Sequence, residues 1–438
     1  MPGRALTQRR VAVIGGGWAG ISAAVHASQL GQAVTLFEMA PRLGGRARSL
    51  GDVTAPSSEL VEAPLDNGQH ILIGAYRHCL ELLATVGVDH SEALLRMPLR
   101  LRYPRHEGLS LPPGRPLPSF VRGILAYQAW PLAARARLLT TAAGWLLQRF
   151  TCAAELTVDQ LCTDLPAIVK QELIAPLCIA ALNTPSGQAS ARVFLRVLQD
   201  SLFGGNGSSD LLLPRVPLSG LLADPAQTWL QDQGTVLRLG QRLQSLEKQG
   251  NRWLADGEPF DAVILACTSA EAARLCNNIA PDWAFNARAL RFEPIITVYL
   301  QSPGSALPAP MLALHEGPQA PAQFAFDLGQ LGHAPGRFAF VISGAAPWVA
   351  RGLVETGWIA LEQAEREISW TSPPKILKVL AEKRATFACT PDLHRPPAQI
   401  SDGLFAAGDY VAGPYPATLE GAVRSGRTAA ITAATDHW

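Results

Sequence analysis

Three glycines at positions 15, 17 and 20, with a carboxylate eighteen residues beyond the last of them, are the first residues whose spacing suggests chemistry. Val11-Ala12-Val13-Ile14 is a short apolar run. Gly15-Gly16-Gly17-Trp18-Ala19-Gly20 follows in the G-x-G-x-x-G register, and an alanine-rich helical pattern continues to Leu30. In a strand, turn and helix so ordered, Gly15 permits the turn, Gly17 lets a pyrophosphate approach the backbone of Trp18 and Ala19 at the helix N-terminus, and Gly20 lets helix and strand pack closely. A second strand, Ala33 to Phe37, ends at Glu38, whose carboxylate accepts the hydroxyls of an adenosine ribose and repels a 2′-phosphate. The expected ligand is a dinucleotide other than NADP. A bare glycine turn is the plain alternative, but strand, helix, second strand and acid all fall in place here.

Directly after the acid, Pro41-Arg42-Leu43-Gly44-Gly45-Arg46-Ala47 offers paired glycines with backbone freedom and two arginines able to meet phosphate. Near the other end, the apolar run Gly403 to Ala407 leads to Gly408-Asp409, and Gly413-Pro414-Tyr415-Pro416-Ala417-Thr418-Leu419 opens a helix of small residues. Both stretches resemble motifs of the amine oxidase and phytoene desaturase flavoprotein superfamily. The resemblance implies FAD, with Gly45 and Arg46 beside it and Gly408-Asp409 at its ribityl or phosphate region. It places the amides at Thr418 and Leu419 against the flavin pyrimidine, where a helix N-terminus stabilises the negative charge of a reduced flavin. It also lets the backbone at Val236 meet adenine. Ala181 to Pro185, Asp210 to Pro217 and Leu290 to Leu300 are similar to one enzyme group of that superfamily, the hydroxysqualene dehydroxylases.

The fold so implied is α/β. A Rossmann-like FAD-binding domain, discontinuous over 1–92, 215–275 and 385–438, is interleaved with an α+β substrate-binding domain over 93–214 and 276–384, the two-domain arrangement of amine oxidases. Length agrees, since 438 residues suffice for two domains. A net charge of +1 lacks the basic footprint of a nucleic-acid binder. Seven scattered cysteines without a C-x-x-C pair read as free thiols in a reducing compartment, with no metal site expected. The apolar run after Arg9-Arg10 is too short for an export signal, so a cytoplasmic protein is expected, soluble or attached to a membrane face.

Charge is nonetheless uneven. Ala93 to Ala154 holds nine arginines, no lysine and one acid, Glu107, a net of +8 that leaves −7 for the remainder. Phe120, Ile124, Leu125, Trp130, Leu138, Leu139 and Trp145 recur there at helix-like spacings, broken by Pro131. A basic, apolar helical segment suits the headgroups of an anionic bilayer. A helix pair packed on its own core with solvated arginines fits the same pattern. Further on, Val158 to Leu198 reads as helical with proline breaks, and Thr184-Pro185-Ser186 as a cap before the last helix.

For the dehydroxylase group the resemblance implies that a C30 isoprenoid alcohol becomes squalene, a step of hopanoid and isoprenoid biosynthesis. Hydroxide leaves poorly, so a proton donor must meet the oxygen while reduced FAD supplies hydride and an apolar tunnel excludes water. Asp66, His70, Asp210 and Tyr415 lie in motif-bearing loops and are the candidate donors, each also able to serve its loop structurally. His70 leads because imidazole donates near neutral pH without a large shift. Rival functions share the FAD motifs: an oxidative desaturase or amine oxidase, and a non-enzymatic isoprenoid escort. The chain has no second glycine-rich nucleotide fingerprint, which leaves a nicotinamide, a flavodoxin and a quinol all open as electron donor.

Overall fold

The computed structural model describes residues 8–51 and 64–435. Its first strand, Arg10–Ile14, is apolar and buried from Val11 onward because it is central: Ala262–Leu265 flanks it on one side and Ala33–Glu38 on the other, both parallel. Such strands are covered on both faces and so lack alternation. Val236–Leu239 extends the sheet past Ala33–Glu38, and Leu404–Ala406 extends it past Ala262–Leu265, with Gln399–Ser401 antiparallel at the edge. Strands separated by nearly 400 residues of chain therefore sit two places apart.

Trp18–Gln29 follows the first strand and packs on the last helix, Leu419–Thr435. Small residues make this contact close. A Cβ on Gly426 would lie 2.1 Å from the Ala19 carbonyl oxygen, and the Ser22 hydroxyl donates to the Val423 carbonyl at 2.8 Å.

A second sheet is antiparallel, in the order Met311–Ala313, Phe324–Asp327, Arg337–Ile342, Phe292–Gln301, Lys375–Phe387. Ile296, Val298 and Leu300 face Leu353–Glu367 across a small core. The opposite face, with Tyr299, Phe324, Phe326 and Val341, joins a far larger apolar cluster that includes Phe194, Leu211 and the helices near Trp130. The sheet thus has one face committed to scaffold and one turned towards the loops of the first domain.

The segment Ala93 to Ala154 is not helical throughout, contrary to the sequence expectation. Leu94–Met97 pairs with Leu211–Pro214, and Arg100–Tyr103 forms a hairpin with His106–Ser110. The cause is a period of two: Leu101 and Tyr103 are buried while Arg100 and Arg102 point to Glu107. Helices begin only at Pro116–Ala126 and Leu132–Leu147, with Pro131 as the cap of the second. Thr184 is likewise not a helix cap. Asn183 ends the preceding helix in the left-handed region at φ 47°, Gln188 and Ala189 turn back on the Pro185 carbonyl, and Ala191–Leu202 starts after Ser190. No helix of the described residues is long and apolar enough to cross a membrane.

Candidate functional site

The glycines at the first turn are required by contact as well as conformation. Gly15 has φ +110°, and a Cβ there would lie 2.6 Å from the Ala266 carbonyl oxygen; one on Gly20 would lie 1.8 Å from that of Gly15. Gly17 differs, since a Cβ on it would meet only the Gly45 Cα at 3.9 Å, an open approach to the helix end. Gly17 caps that helix without a side-chain bond, and the first helical bond runs from the Ile21 amide to the Gly17 carbonyl at 2.8 Å. The amides of Trp18, Ala19 and Gly20 have no acceptor among the described residues, and the first turn carries no acid. Such a helix end is an anion site.

Two further groups complete the cradle. Glu38 is buried, its oxygens accepting from the Gly16 amide at 2.6 Å and the Ala40 amide at 2.7 Å, which fixes a carboxylate at the end of its strand. Gly44 donates to the Gly16 carbonyl at 2.8 Å and, with Gly45 at φ +60°, brings the segment over the helix end. Val236 is half exposed on the outermost strand, two strands from the turn.

The far end of the chain arrives at the same place. Arg46 donates to Asp409 at 2.7 Å and to the Ala385 carbonyl at 2.6 Å, which ties the Gly408-Asp409 turn to the arginine segment. Thr418 accepts from the Gly421 amide at 3.1 Å, leaving the Leu419 amide at the mouth of the last helix. Glu420, in that first turn, does not oppose an anion there. Its buried carboxylate turns aside to the Cys79 amide at 3.0 Å and His78 Nδ1 at 2.8 Å. The sequence carries no local sign of this pairing across 341 residues. These groups fit FAD: two helix N-termini, a carboxylate fixed at the end of a strand, an arginine tied to Asp409, and glycine where the approach must be close.

The four candidate proton donors separate clearly. Tyr415 donates to Asp200 at 2.7 Å and accepts from Arg424 at 2.8 Å, and burial, with Asp200 next, pushes its phenol up. Asp210 is bound to Arg96 at 2.8 Å. Both belong to ion-pair networks. His70 Nδ1 donates to the Gly68 carbonyl at 3.1 Å, and burial, together with the charge on Arg46, lowers its pKa. Its imidazole is therefore neutral near pH 7, which corrects the expectation that it would be the ready donor.

Asp66 holds its proton to higher pH than an ordinary aspartate. Burial pushes its carboxyl up to about 6 against two bonds that favour ionisation, from the Ser49 hydroxyl at 2.7 Å and the Leu218 amide at 3.1 Å. Both bonds reach Oδ1, and Oδ2 has no partner among the described residues. Beside it, Gln69, Tyr299, His333 and Arg337 line a cavity of about 20 Å³, room for one water. Tyr299 donates to the Asp66 carbonyl at 2.9 Å. Tyr299, Ser49 and Leu218 were invisible as partners in the sequence, lying 17 to 233 residues away.

Comparison with known proteins agrees with this geometry. The profile of the flavin containing amine oxidoreductases matches residues 18–327 and 384–432. Hydroxysqualene dehydroxylases of Sinorhizobium fredii and Rhodopseudomonas palustris are 28% and 29% identical, each over 96% of this chain and 97% of their own. Cyclohexylamine oxidase from Brevibacterium oxydans is only 15% identical but shares the fold, with a TM-score of 0.68 over 98% of this chain and 99% of that one. A flavin family and an adenine dinucleotide cradle together specify the cofactor. The chain belongs to the flavin containing amine oxidoreductases and is an FAD-dependent oxidoreductase.

Proposed function

We propose that the chain converts hydroxysqualene to squalene. Asp66 carries this reading: a carboxyl whose pKa burial raises to about 6, at the edge of a large apolar face, next to the loop that reaches Arg46. The names and coverage of the dehydroxylase relatives support it. Bound FAD in its reduced form supplies a hydride and is oxidised by two electrons. The C–O bond of the allylic alcohol breaks, its oxygen leaves as water with the Asp66 proton, and the carbon gains a C–H bond. Phe324, Phe326, Val341 and Ile295 keep bulk water from the cationic carbon while the tertiary scaffold holds the alcohol near Asp66. The small cavity beside Asp66 has room for one water to return the proton to the carboxyl. Anaerobic incubation of photoreduced enzyme with hydroxysqualene is expected to yield squalene. A product with an added double bond, formed by the oxidised enzyme, would establish the oxidative alternative instead.

The same proposal extends to where the substrate comes from. Five of the twelve large apolar side chains exposed among the described residues, Leu117, Leu125, Leu132, Leu146 and Leu147, lie on the two helices of the +8 segment. Peripheral contact with an anionic bilayer suits both properties. The protein is expected to sediment with phosphatidylglycerol vesicles at low salt and to be released by added salt; absence of sedimentation at low salt overturns the contact.

A further inference from the structure

One buried polar group near Asp66 has no task in the chemistry above. Thr297, mid-strand in Phe292–Gln301, is 1% exposed. Its hydroxyl has no hydrogen-bond partner among the described residues, and its neighbours across the sheet, Val341 and Leu380, are apolar. Valine would fill the same volume, and the threonine hydroxyl, which has no bond to the described residues, is left to meet a polar ligand that comes to it.

The strand and the 66–70 loop run side by side. Tyr299 meets the Asp66 carbonyl, and Thr297, two residues earlier on the same face, stands beside Gly68. A Cβ on Gly68 would lie 3.7 Å from Thr297 Oγ1 and 3.9 Å from His70 Cε1. Gly68 thus brings a hydroxyl and an imidazole to the same point of the loop. His70 has committed Nδ1 to the Gly68 carbonyl, which leaves Nε2 of the neutral ring as an acceptor. One group that donates and one that accepts are the complement of an alcohol. The geometry points to Thr297 and His70 as the pair that recognises the substrate hydroxyl: Thr297 donates to its oxygen and His70 Nε2 accepts its proton. This assignment rests on the alcohol substrate proposed above. It adds a means of releasing product, because squalene has no oxygen and leaves both groups unsatisfied.

Binding to the oxidised holoenzyme tests it without turnover. Titrations with hydroxysqualene and with squalene are followed by the change in flavin absorbance. The wild type is expected to favour the alcohol. Thr297→Val should weaken hydroxysqualene about tenfold and leave squalene unchanged, while Thr297→Ser should restore the preference. Where the valine variant binds less FAD, Thr297→Ala, which adds no branch, gives the same comparison. Retention of the alcohol preference in the valine or alanine variant, or equal weakening of both ligands, overturns the assignment. Failure of the photoreduced wild type to form squalene overturns the function instead, and the two failures are read in separate experiments.

Discussion

Asp66→Asn is expected to retain FAD and to slow conversion of hydroxysqualene about 10²–10⁴-fold, the range for removing a general acid. Asparagine preserves shape, and its Oδ1 still accepts from Ser49 and Leu218, so loss of the proton is the main change. With the carboxyl near 6 in the folded protein, wild-type turnover is expected to be level below that pH and to fall as pH rises through it. The variant should lack that limb. Stability should also separate wild type from variant. An unfolded aspartate ionises near 3.8 while the folded one holds its proton to about 6, so between these values the folded chain binds more protons and loses stability as pH rises. The loss is on the order of 2–3 kcal/mol. Asparagine has no such loss, and the variant should match the wild type at pH 4 and unfold later than it at pH 7.5. Urea denaturation at the two pH values measures this. Equal pH profiles of turnover in wild type and variant would remove Asp66 from the chemistry.

The second large effect is expected far from the reacting carbon. Gly426→Ala places a methyl 2.1 Å from the Ala19 carbonyl oxygen, a backbone atom that cannot rotate aside. The first and last helices must separate, and the helix ends that would flank the cofactor move with them. Overpacking of this kind costs about 1–3 kcal/mol or more, and both FAD content and thermal stability should fall. Gly144→Ala is the control. That glycine lies within Leu132–Leu147 with nothing within 4 Å of a Cβ, so alanine there is expected to raise stability by about 0.5–1 kcal/mol and leave FAD content unchanged. Equal FAD content in the two variants would mean that the helix contact does not hold the cofactor site together.

What the sequence made legible was whatever chemistry is local. Gly15, Gly17, Gly20 and Glu38 lie within one strand, turn, helix and strand, and each acts on backbone a few residues or one strand away. The arginine segment and the Gly408-Asp409 turn were recognisable as motifs, but not as partners 363 residues apart. Asp66 was one of four candidate donors, each equally fit for a structural turn, because its raised pKa comes from burial by distant parts of the chain, against the bonds from Ser49 and Leu218. His70 was overrated for the same reason: nothing nearby in sequence announces the burial that neutralises it. The arginines at 96, 100, 102 and 105 were assigned to helices from composition, although alternation between Arg100 and Tyr103 already had the period of a strand.

The interlock of the first and last helices also bears on how the polypeptide is made. The central strand Arg10–Ile14 is synthesised early, yet one of its two neighbours, Ala262–Leu265, emerges some 250 residues later, and the helix that seals the sheet follows at Leu419–Thr435. At ribosomal rates of about 5–20 residues per second, the early segment waits roughly 20–80 s before its last contacts exist. During that interval a sticky apolar ribbon is exposed to neighbouring nascent chains, so yield in cells should depend on holding chaperones and on FAD being at hand when Leu419–Thr435 emerges.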